Sequence, residues 1–177
     1  MMACRRGLTL IEVMAVVALM GLAAGATAWS MAGDVSRNNR QATITRIEYA
    51  DRMARIAADR MGQRCVLRFD IDAQQLRRVM TDAAGDEQAS HTLALPRECR
   101  LDRVVRSGDS CDSGQTEIAY STGGRSASYA ARLTFERDKE SVWLVFAGLT
   151  GQVVIVHDEQ EAEKLFENLA TGWTDAD

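Results

Sequence analysis

The sequence predicts an α+β fold, in which a long N-terminal helix packs on an antiparallel β-sheet domain and its first half spans a membrane. An apolar run at residues 8–28, followed by apolar residues at every third or fourth position, predicts the helix. From Cys65 onward, short runs that alternate apolar and polar residues predict strands. The 177 residues, 46% of them hydrophobic and 26% charged, suit one globular domain plus an additional segment.

The apolar run contains a single charged residue, Glu12. About 20 residues rising about 1.5 Å each cross a hydrocarbon layer of about 30 Å, so residues 8–29 are predicted to form a transmembrane helix. Arg5 and Arg6 precede the run, so the positive-inside rule predicts a cytoplasmic N-terminus. A cleaved signal peptide is the alternative, because residues 23–26 imitate its cleavage site.

Glu12 lies about one helical turn into the apolar run, where ionisable residues are generally functional. Cleavage after Gly7 would place a new α-amino group on Leu8 and make Glu12 the fifth residue of the product. These opposite charges would then pair within a helical turn or between neighbouring subunits. A stray acid near the membrane interface is the alternative.

Residues 7–13, Gly-Leu-Thr-Leu-Ile-Glu-Val, resemble the type IV prepilin and pseudopilin motif. The resemblance implies that residues 1–7 are a leader, that a prepilin peptidase cleaves between Gly7 and Leu8, and that Leu8 is then N-methylated. It also implies that Glu12 helps to recruit the subunit into a filament. Leu8 stands where phenylalanine or methionine is more usual, which bears on methylation more than on cleavage.

Residues 30–62 predict an amphipathic continuation of the helix, ending at Gly62. Residues 33–39 would be able to break it, with Asp34 or Ser36 capping the second half. Two acid-before-base pairs at i, i+4 are predicted on its polar side, Glu48 with Arg52 and Asp51 with Arg55. The predicted buried stripe comprises Ile44, Ile47, Ala50, Ala54, Ala57 and Met61.

Residues 63–156 are predicted to form the β domain, with about eight short antiparallel strands. Residues 67–71 and 76–80 would form its first hairpin, and residues 81–90 and 107–115 would be loops. The remaining strands are predicted at residues 91–95, 101–105, 118–121, 128–135, 142–146 and 153–156.

Three segments of this domain resemble the C-terminal half of the GspH/FimT pseudopilin domain. They are the turn-containing residues 118–125, the strand at 142–146 that carries Trp143, and the Thr-Gly-Gln-Val segment at 150–153. With the N-terminal motif, the resemblance covers about residues 5–156 and implies a pilin-like fold with a GspH-like domain.

Residues 157–177 predict an acidic helical extension. Its apolar stripe is interpreted as a packing face, and a docking element anchored by Phe166 and Trp173 is the alternative. The stripe comprises Ala162, Leu165, Phe166, Leu169 and Trp173.

Of the four cysteines, Cys4 lies in the predicted leader, and the three that remain allow at most one disulfide. A bridge between Cys99 and Cys111 is compatible with an oxidising periplasm and would leave Cys65 as a buried thiol. We predict no metal site and no cofactor, because neither His91 nor His157 has metal-ligand spacing to the other histidine or to a cysteine. The sequence contains no persuasive catalytic set, so we predict no catalytic residues.

The resemblance implies a minor pseudopilin of a type II secretion system, in a bacterial inner membrane with the C-terminal domain in the periplasm. Its partners would be a prepilin peptidase, other pseudopilins or pilins, and the membrane. A minor pilin of a type IV pilus or DNA-uptake apparatus is the alternative, and a membrane-tethered enzyme or ligand-binding module is a third hypothesis. The net charge of −4 argues against nucleic-acid binding outside a DNA-uptake pilus.

Overall fold

The computed structural model describes residues 10–81, 87–106, 109–137 and 139–174. Two helices and nine strands lie within these ranges, and the chain divides into two compact units, Met1–Asn39 and Arg40–Asp177. The elements are α1 (Leu10–Met61), β1 (Arg64–Asp70), β2 (Gln75–Thr81), β3 (Glu87–Ala94), β4 (Cys99–Arg106), β5 (Asp109–Cys111), β6 (Gln115–Tyr120), β7 (Tyr129–Phe135), β8 (Glu140–Phe146), β9 (Val153–Val156) and α2 (Glu159–Thr174).

The first unit contains the beginning of α1, and its apolar side chains are exposed from Leu10 to Leu22. Residues 33–39 are helical, so the break considered there is not formed. A single glycine weakens a helix interior by only about 1 kcal/mol, and no proline interrupts this segment. Within the described residues, no helix has both the length and the apolar character that crossing a membrane requires.

The strands of the second unit form two antiparallel sheets rather than the single predicted sheet. The first has the order β3-β2-β1-β6 and the second has the order β5-β4-β7-β8-β9. The sheets are interleaved along the chain, because β6 returns to pair with β1 while β4 pairs with β7. Local periodicity depends only on neighbouring residues, so it predicts where strands lie but not which distant strands pair. The division of the strands into two sheets is therefore not predictable from periodicity.

The predicted first hairpin is present, with Phe69 opposite Leu76 and Asp70 opposite Gln75. Its turn is held by the Asp70 carboxylate, whose Oδ1 accepts a hydrogen bond from the Ala73 N–H at 2.8 Å. Two loop predictions are wrong in part. Strand β3 begins at Glu87, inside the predicted 81–90 loop, and β5 lies inside the predicted 107–115 loop.

The main core lies where the second half of α1 meets both sheets. Ile44, Ile47, Ala50 and Ala54 are buried as the helical stripe predicts. The end of the stripe was predicted wrongly, because Ala58 is fully buried and Met61 is 61% exposed. Three aromatic rings pack in this core, with Tyr129 stacked on Phe146 at 4.4 Å and edge-on to Phe69 at 5.7 Å between centroids.

Helix α2 covers the opposite face of the second sheet. Ala162 is buried against Trp143 and Val145 of β8, and Phe166 packs on the same cluster. Sheet coverage on both faces explains why residues 142–146 form a continuous buried run instead of an alternating one. The interpretation of a packed terminal helix therefore describes α2, while the side chain of Trp173 lies outside the described residues.

Candidate functional site

The predicted assembly residue Glu12 lies in the first turn of α1, and its side chain is exposed. Leu10 and Ile11 beside it are 79% and 77% exposed. Gly7 and Leu8 lie outside the described residues, so the cleavage and methylation site stays a prediction. A helix that presents apolar side chains around one carboxylate is suited to contact with an apolar environment or another helix.

A second polar site lies inside the globular domain, around Asp51. This carboxylate is 1% exposed, and its Oδ1 accepts hydrogen bonds from the hydroxyl groups of Tyr120 at 2.7 Å and Tyr129 at 2.8 Å. Its Oδ2 accepts a hydrogen bond from Nε of Arg55 at 2.7 Å. We call Asp51, Arg55, Tyr120 and Tyr129 the Asp51 network. It joins α1 to β6 of the first sheet and β7 of the second.

Arg55 extends this network to two loops. Its Nη1 donates a hydrogen bond to the Gly148 carbonyl at 2.7 Å, and its Nη2 donates to Oγ of Ser126 at 3.2 Å. The guanidinium carbon also lies 5.4 Å from the ring centroid of Tyr120. Residues 121–128 connect β6 of the first sheet to β7 of the second, and we call them the crossover loop. Arg55 of α1 therefore forms hydrogen bonds with both the crossover loop and the loop between β8 and β9.

Charges within the network are balanced. Burial raises the pKa of Tyr120 and Tyr129 well above 10, and the negative charge of Asp51 acts in the same direction. Both tyrosines therefore stay neutral donors near neutral pH. Burial opposes the charged form of Arg55, but the hydrogen bond and the charge of Asp51 outweigh it, so the pKa of Arg55 is raised. Asp51 and Arg55 thus form a buried ion pair with satisfied partners, which fixes the helix position.

Sequence reasoning placed this pair on the wrong side of the helix. The Asp51–Arg55 ion pair is present, but it is buried rather than on the polar surface. The available signal was spacing, because Asp51 follows Ile47 by four residues and precedes Ala54 by three. The second predicted pair, Glu48 with Arg52, is not formed among the ion pairs of the described residues.

The predicted Cys99–Cys111 bridge is not formed, and both residues are free thiols. Cys99 begins β4, whereas Cys111 lies opposite Val104, five residues farther along that strand. Five strand residues span about 16 Å, well beyond the roughly 7 Å that a disulfide allows between Cα atoms. Burial raises the pKa of Cys99 to about 12, so its thiol stays protonated.

The two histidines lie apart from each other. His157 places Nδ1 3.3 Å from a carboxylate oxygen of Glu140, and His91 lines a small groove beside Tyr49. Within the described part of the chain, no three side chains of histidine, cysteine, aspartate or glutamate come together as a metal site would require.

Comparisons with known proteins give one match to the N-terminal segment and matches to two solved structures. Residues 2–28 match the prokaryotic N-terminal methylation motif. Two solved structures of the minor pseudopilin EpsH from the type 2 secretion system of Vibrio cholerae are similar to the chain, each at 13% sequence identity. Their TM-scores are 0.50 and 0.52; each match covers 67% of this chain, and 95% and 94% of the EpsH chains. Among curated protein sequences, none matches the chain.

The similarity to EpsH supports the fold, and the motif match identifies residues 2–28 as an N-terminal methylation motif. The predicted α+β architecture, a helix packed on antiparallel sheets, is confirmed. The chain thus joins an N-terminal methylation motif to a domain whose fold is similar to that of the minor pseudopilin EpsH.

Proposed function

We propose that this chain is a GspH-like minor pseudopilin, a structural and non-catalytic subunit of a type II secretion system. The observation that carries the proposal is the presence of a methylation motif and an EpsH-like fold in one chain. The subunit joins other pseudopilins in a short periplasmic pseudopilus that moves folded substrates outward.

The N-terminal segment would hold the chain in a bacterial inner membrane, with the N-terminus in the cytoplasm and the globular domain in the periplasm. Arg5 and Arg6 before residues 8–29 favour this orientation. The exposed apolar side chains at residues 10–22 support the anchoring role, because water-exposed apolar surface of this extent favours transfer into lipid or protein.

Processing by a prepilin peptidase would separate Gly7 from Leu8, and Leu8 would then be methylated. Four residues of helix rise only about 6 Å, so the new amino group and the Glu12 carboxylate come within reach of each other. Removal of residues 1–7 takes away Arg5 and Arg6 and no acid, so the net charge moves from −4 to −6.

Co-expression with a prepilin peptidase tests the processing step. N-terminal sequencing of the product should begin at Leu8, and mass spectrometry should show a methyl group on that residue. Gly7→Ala should reduce cleavage several-fold, whereas Gly21→Ala, where an added Cβ has no neighbour within 4 Å, should be cleaved normally. A product that begins at Met1, or beyond Ala23, would contradict the proposal.

Deletion of the gene distinguishes assignment to a type II secretion system from assignment to a type IV pilus or DNA-uptake apparatus. Loss of protein secretion with intact surface pili supports the type II assignment. Loss of pili or DNA uptake with normal secretion would instead assign the chain to a type IV pilus or DNA-uptake apparatus as a minor pilin. Copurification with other pseudopilins from detergent-solubilised membranes gives an independent check.

A further inference from the structure

A groove with an apolar floor lies between α1 and the first sheet. Its volume is about 170 Å³, and we call it the Tyr49 groove. The floor consists of Leu67 of β1, Leu76 of β2 and Leu93 of β3. On the helix side, Tyr49 and Met53 form the wall. The helix therefore does not fill all the space above β2 and β3.

The Tyr49 groove exposes apolar surface. Tyr49 is 59% exposed, and both Met53 and Leu93 are half-buried. Contiguous exposed apolar surface commonly marks an interaction site. A cavity of about 150 Å³ admits a molecule the size of benzene, so this groove accommodates one aromatic or branched aliphatic side chain. It is too small for a whole helix, whose diameter is about 10 Å.

Basic residues lie at the groove, although the chain as a whole has a net charge of −4. Of the described residues that line it, Arg78 and His91 are basic and none is acidic. The Nε atom of Arg78 donates a hydrogen bond to Oγ of Ser90 at 2.8 Å, which holds the guanidinium in place. None of the ion pairs found within the described ranges includes Arg78. Because a guanidinium binds a carboxylate with parallel hydrogen bonds, the groove is complementary to an acidic group.

We propose that the Tyr49 groove docks a segment of a different pseudopilin subunit. One large apolar side chain of that segment enters the groove, and an aspartate or glutamate next to it pairs with Arg78. The proposal rests on the proposed function, in which this chain assembles with other pseudopilins, and it names the surface that makes one such contact.

A different subunit fits the groove better than a second copy of this chain. A two-fold dimer centred on the groove would bring identical residues together, so the two Arg78 guanidinium groups would repel each other. The apolar residues around Glu12 do combine apolar and acidic side chains. The proposed function places those residues in the membrane, however, so they are not available to this groove in a second copy.

Photo-cross-linking in the assembled system identifies the occupant. The full chain, with p-benzoylphenylalanine in place of Tyr49, is co-expressed with the other pseudopilins of the same system, irradiated and purified in detergent. We expect mass spectrometry to locate a cross-link in another pseudopilin, within a few residues of an aspartate or glutamate. The control has the same group in place of Asp59, an exposed residue of α1 outside the groove, and should not yield this product. No cross-link, a cross-link to a second copy, or one to a segment without an acidic residue overturns the proposal.

Charge reversal tests the pairing with Arg78. Arg78→Glu should reduce the amount of copurified pseudopilin at least tenfold, because it places like charges in contact. Arg77→Glu is the matched control and should copurify normally, since Arg77 is the preceding residue of β2 and is exposed on the opposite face of the sheet. Changing the cross-linked acidic residue of the partner to lysine should restore binding to the Arg78→Glu chain, which a merely structural role of Arg78 does not predict.

Tyr49→Ala tests the groove without changing its charge. Because Tyr49 is 59% exposed, its removal should leave the free energy of unfolding nearly unchanged while it lowers copurification several-fold. If the unchanged chain copurifies and neither Arg78→Glu nor Tyr49→Ala weakens the association, the groove assignment is overturned and the proposed function stands. An unchanged chain that copurifies with no pseudopilin contradicts both.

Discussion

The Oδ1 atom of Asp51 accepts two tyrosine hydrogen bonds, and the Oδ2 atom accepts one from an arginine. Loss of the Asp51 carboxylate would therefore remove a hydrogen-bond partner from three buried or half-buried groups, the Tyr120 and Tyr129 hydroxyls and the Arg55 guanidinium. Buried hydroxyl and guanidinium groups are expensive to leave unpaired, whereas the same groups fully paired fix a single arrangement.

Asp51→Ala should therefore lower the free energy of unfolding by about 3–5 kcal/mol, the range found when one partner of a buried ion pair is removed. Urea unfolding of the full chain in detergent, followed by near-ultraviolet circular dichroism, measures the change. Asp59→Ala, on the exposed side of the same helix, is the control and should change stability by about 0.5 kcal/mol or less. Equal losses for both variants would contradict the role of the network.

The two tyrosines predict a loss of stability at high pH. Their pKa values lie above 10 in the folded state, so below pH 10 both states keep the phenolic protons and the full stability is present. Above pH 10 the unfolded chain releases these protons while the folded chain retains them. The free energy of unfolding should then fall by up to about 1.4 kcal/mol per pH unit for each tyrosine.

Unfolding in urea between pH 8 and pH 11.5 measures this slope. A chain with Tyr120→Phe and Tyr129→Phe should be less stable at pH 8 but should lose less stability above pH 10. A double variant with the same slope as the unchanged chain would show that the alkaline loss arises elsewhere.

At the scale of elements, the loop between β8 and β9 packs against the crossover loop with no free space. A Cβ added to Gly148 would lie 2.0 Å from the carbonyl oxygen of Ser126 and 2.6 Å from the carbonyl carbon of Ala127. The Gly148 carbonyl also accepts the Arg55 hydrogen bond, so a displaced loop weakens the Asp51 network as well.

Gly148→Ala should destabilise the domain by about 2 kcal/mol or more, because backbone atoms rather than a flexible side chain obstruct the new methyl group. Gly123→Ala is the matched control, since no atom lies within 4 Å of its added Cβ and its φ is not positive. The free energies of unfolding in urea should separate the two variants. If Gly148→Ala is as stable as Gly123→Ala, the packing of these loops is looser than described.

Most helices and strands are predictable from local sequence, because the spacing of apolar residues shows which face of a helix or strand is buried. The α1 stripe and the hairpin of β1 and β2 follow from helical or alternating spacing, whereas β8 and β9 follow from short apolar runs bounded by polar or glycine-containing turns. Strand β3 departs from its predicted start because Glu87, Gln88 and Ser90 are polar, so its first four residues show no apolar alternation. Asp51 departs from its predicted surface position for a related reason, because a charged residue beside an apolar stripe is usually solvent-exposed, whereas Asp51 is buried with three hydrogen-bond partners.

At the scale of the whole molecule, the proposed role of Glu12 is to recruit the subunit into an assembly with other subunits. Glu12→Ala should leave cleavage after Gly7 intact, because the carboxylate lies beyond the cut bond, but should remove the partner of the new amino group. Copurification of the variant with other pseudopilins should fall several-fold, while N-terminal sequencing still begins at Leu8. Glu48→Ala, on the globular part of α1, is the control and should copurify normally. Unchanged assembly of Glu12→Ala would contradict the terminal charge pair.

The interleaved order of the two sheets has a consequence for folding. The first sheet is incomplete until β6, which ends at Tyr120, has been synthesised. The second sheet is incomplete until β9, which ends at Val156, has been synthesised. Neither sheet can therefore close while the chain is only half synthesised. Pairings between distant segments are slow to form, so the domain should fold late and cooperatively, after nearly the whole polypeptide has emerged.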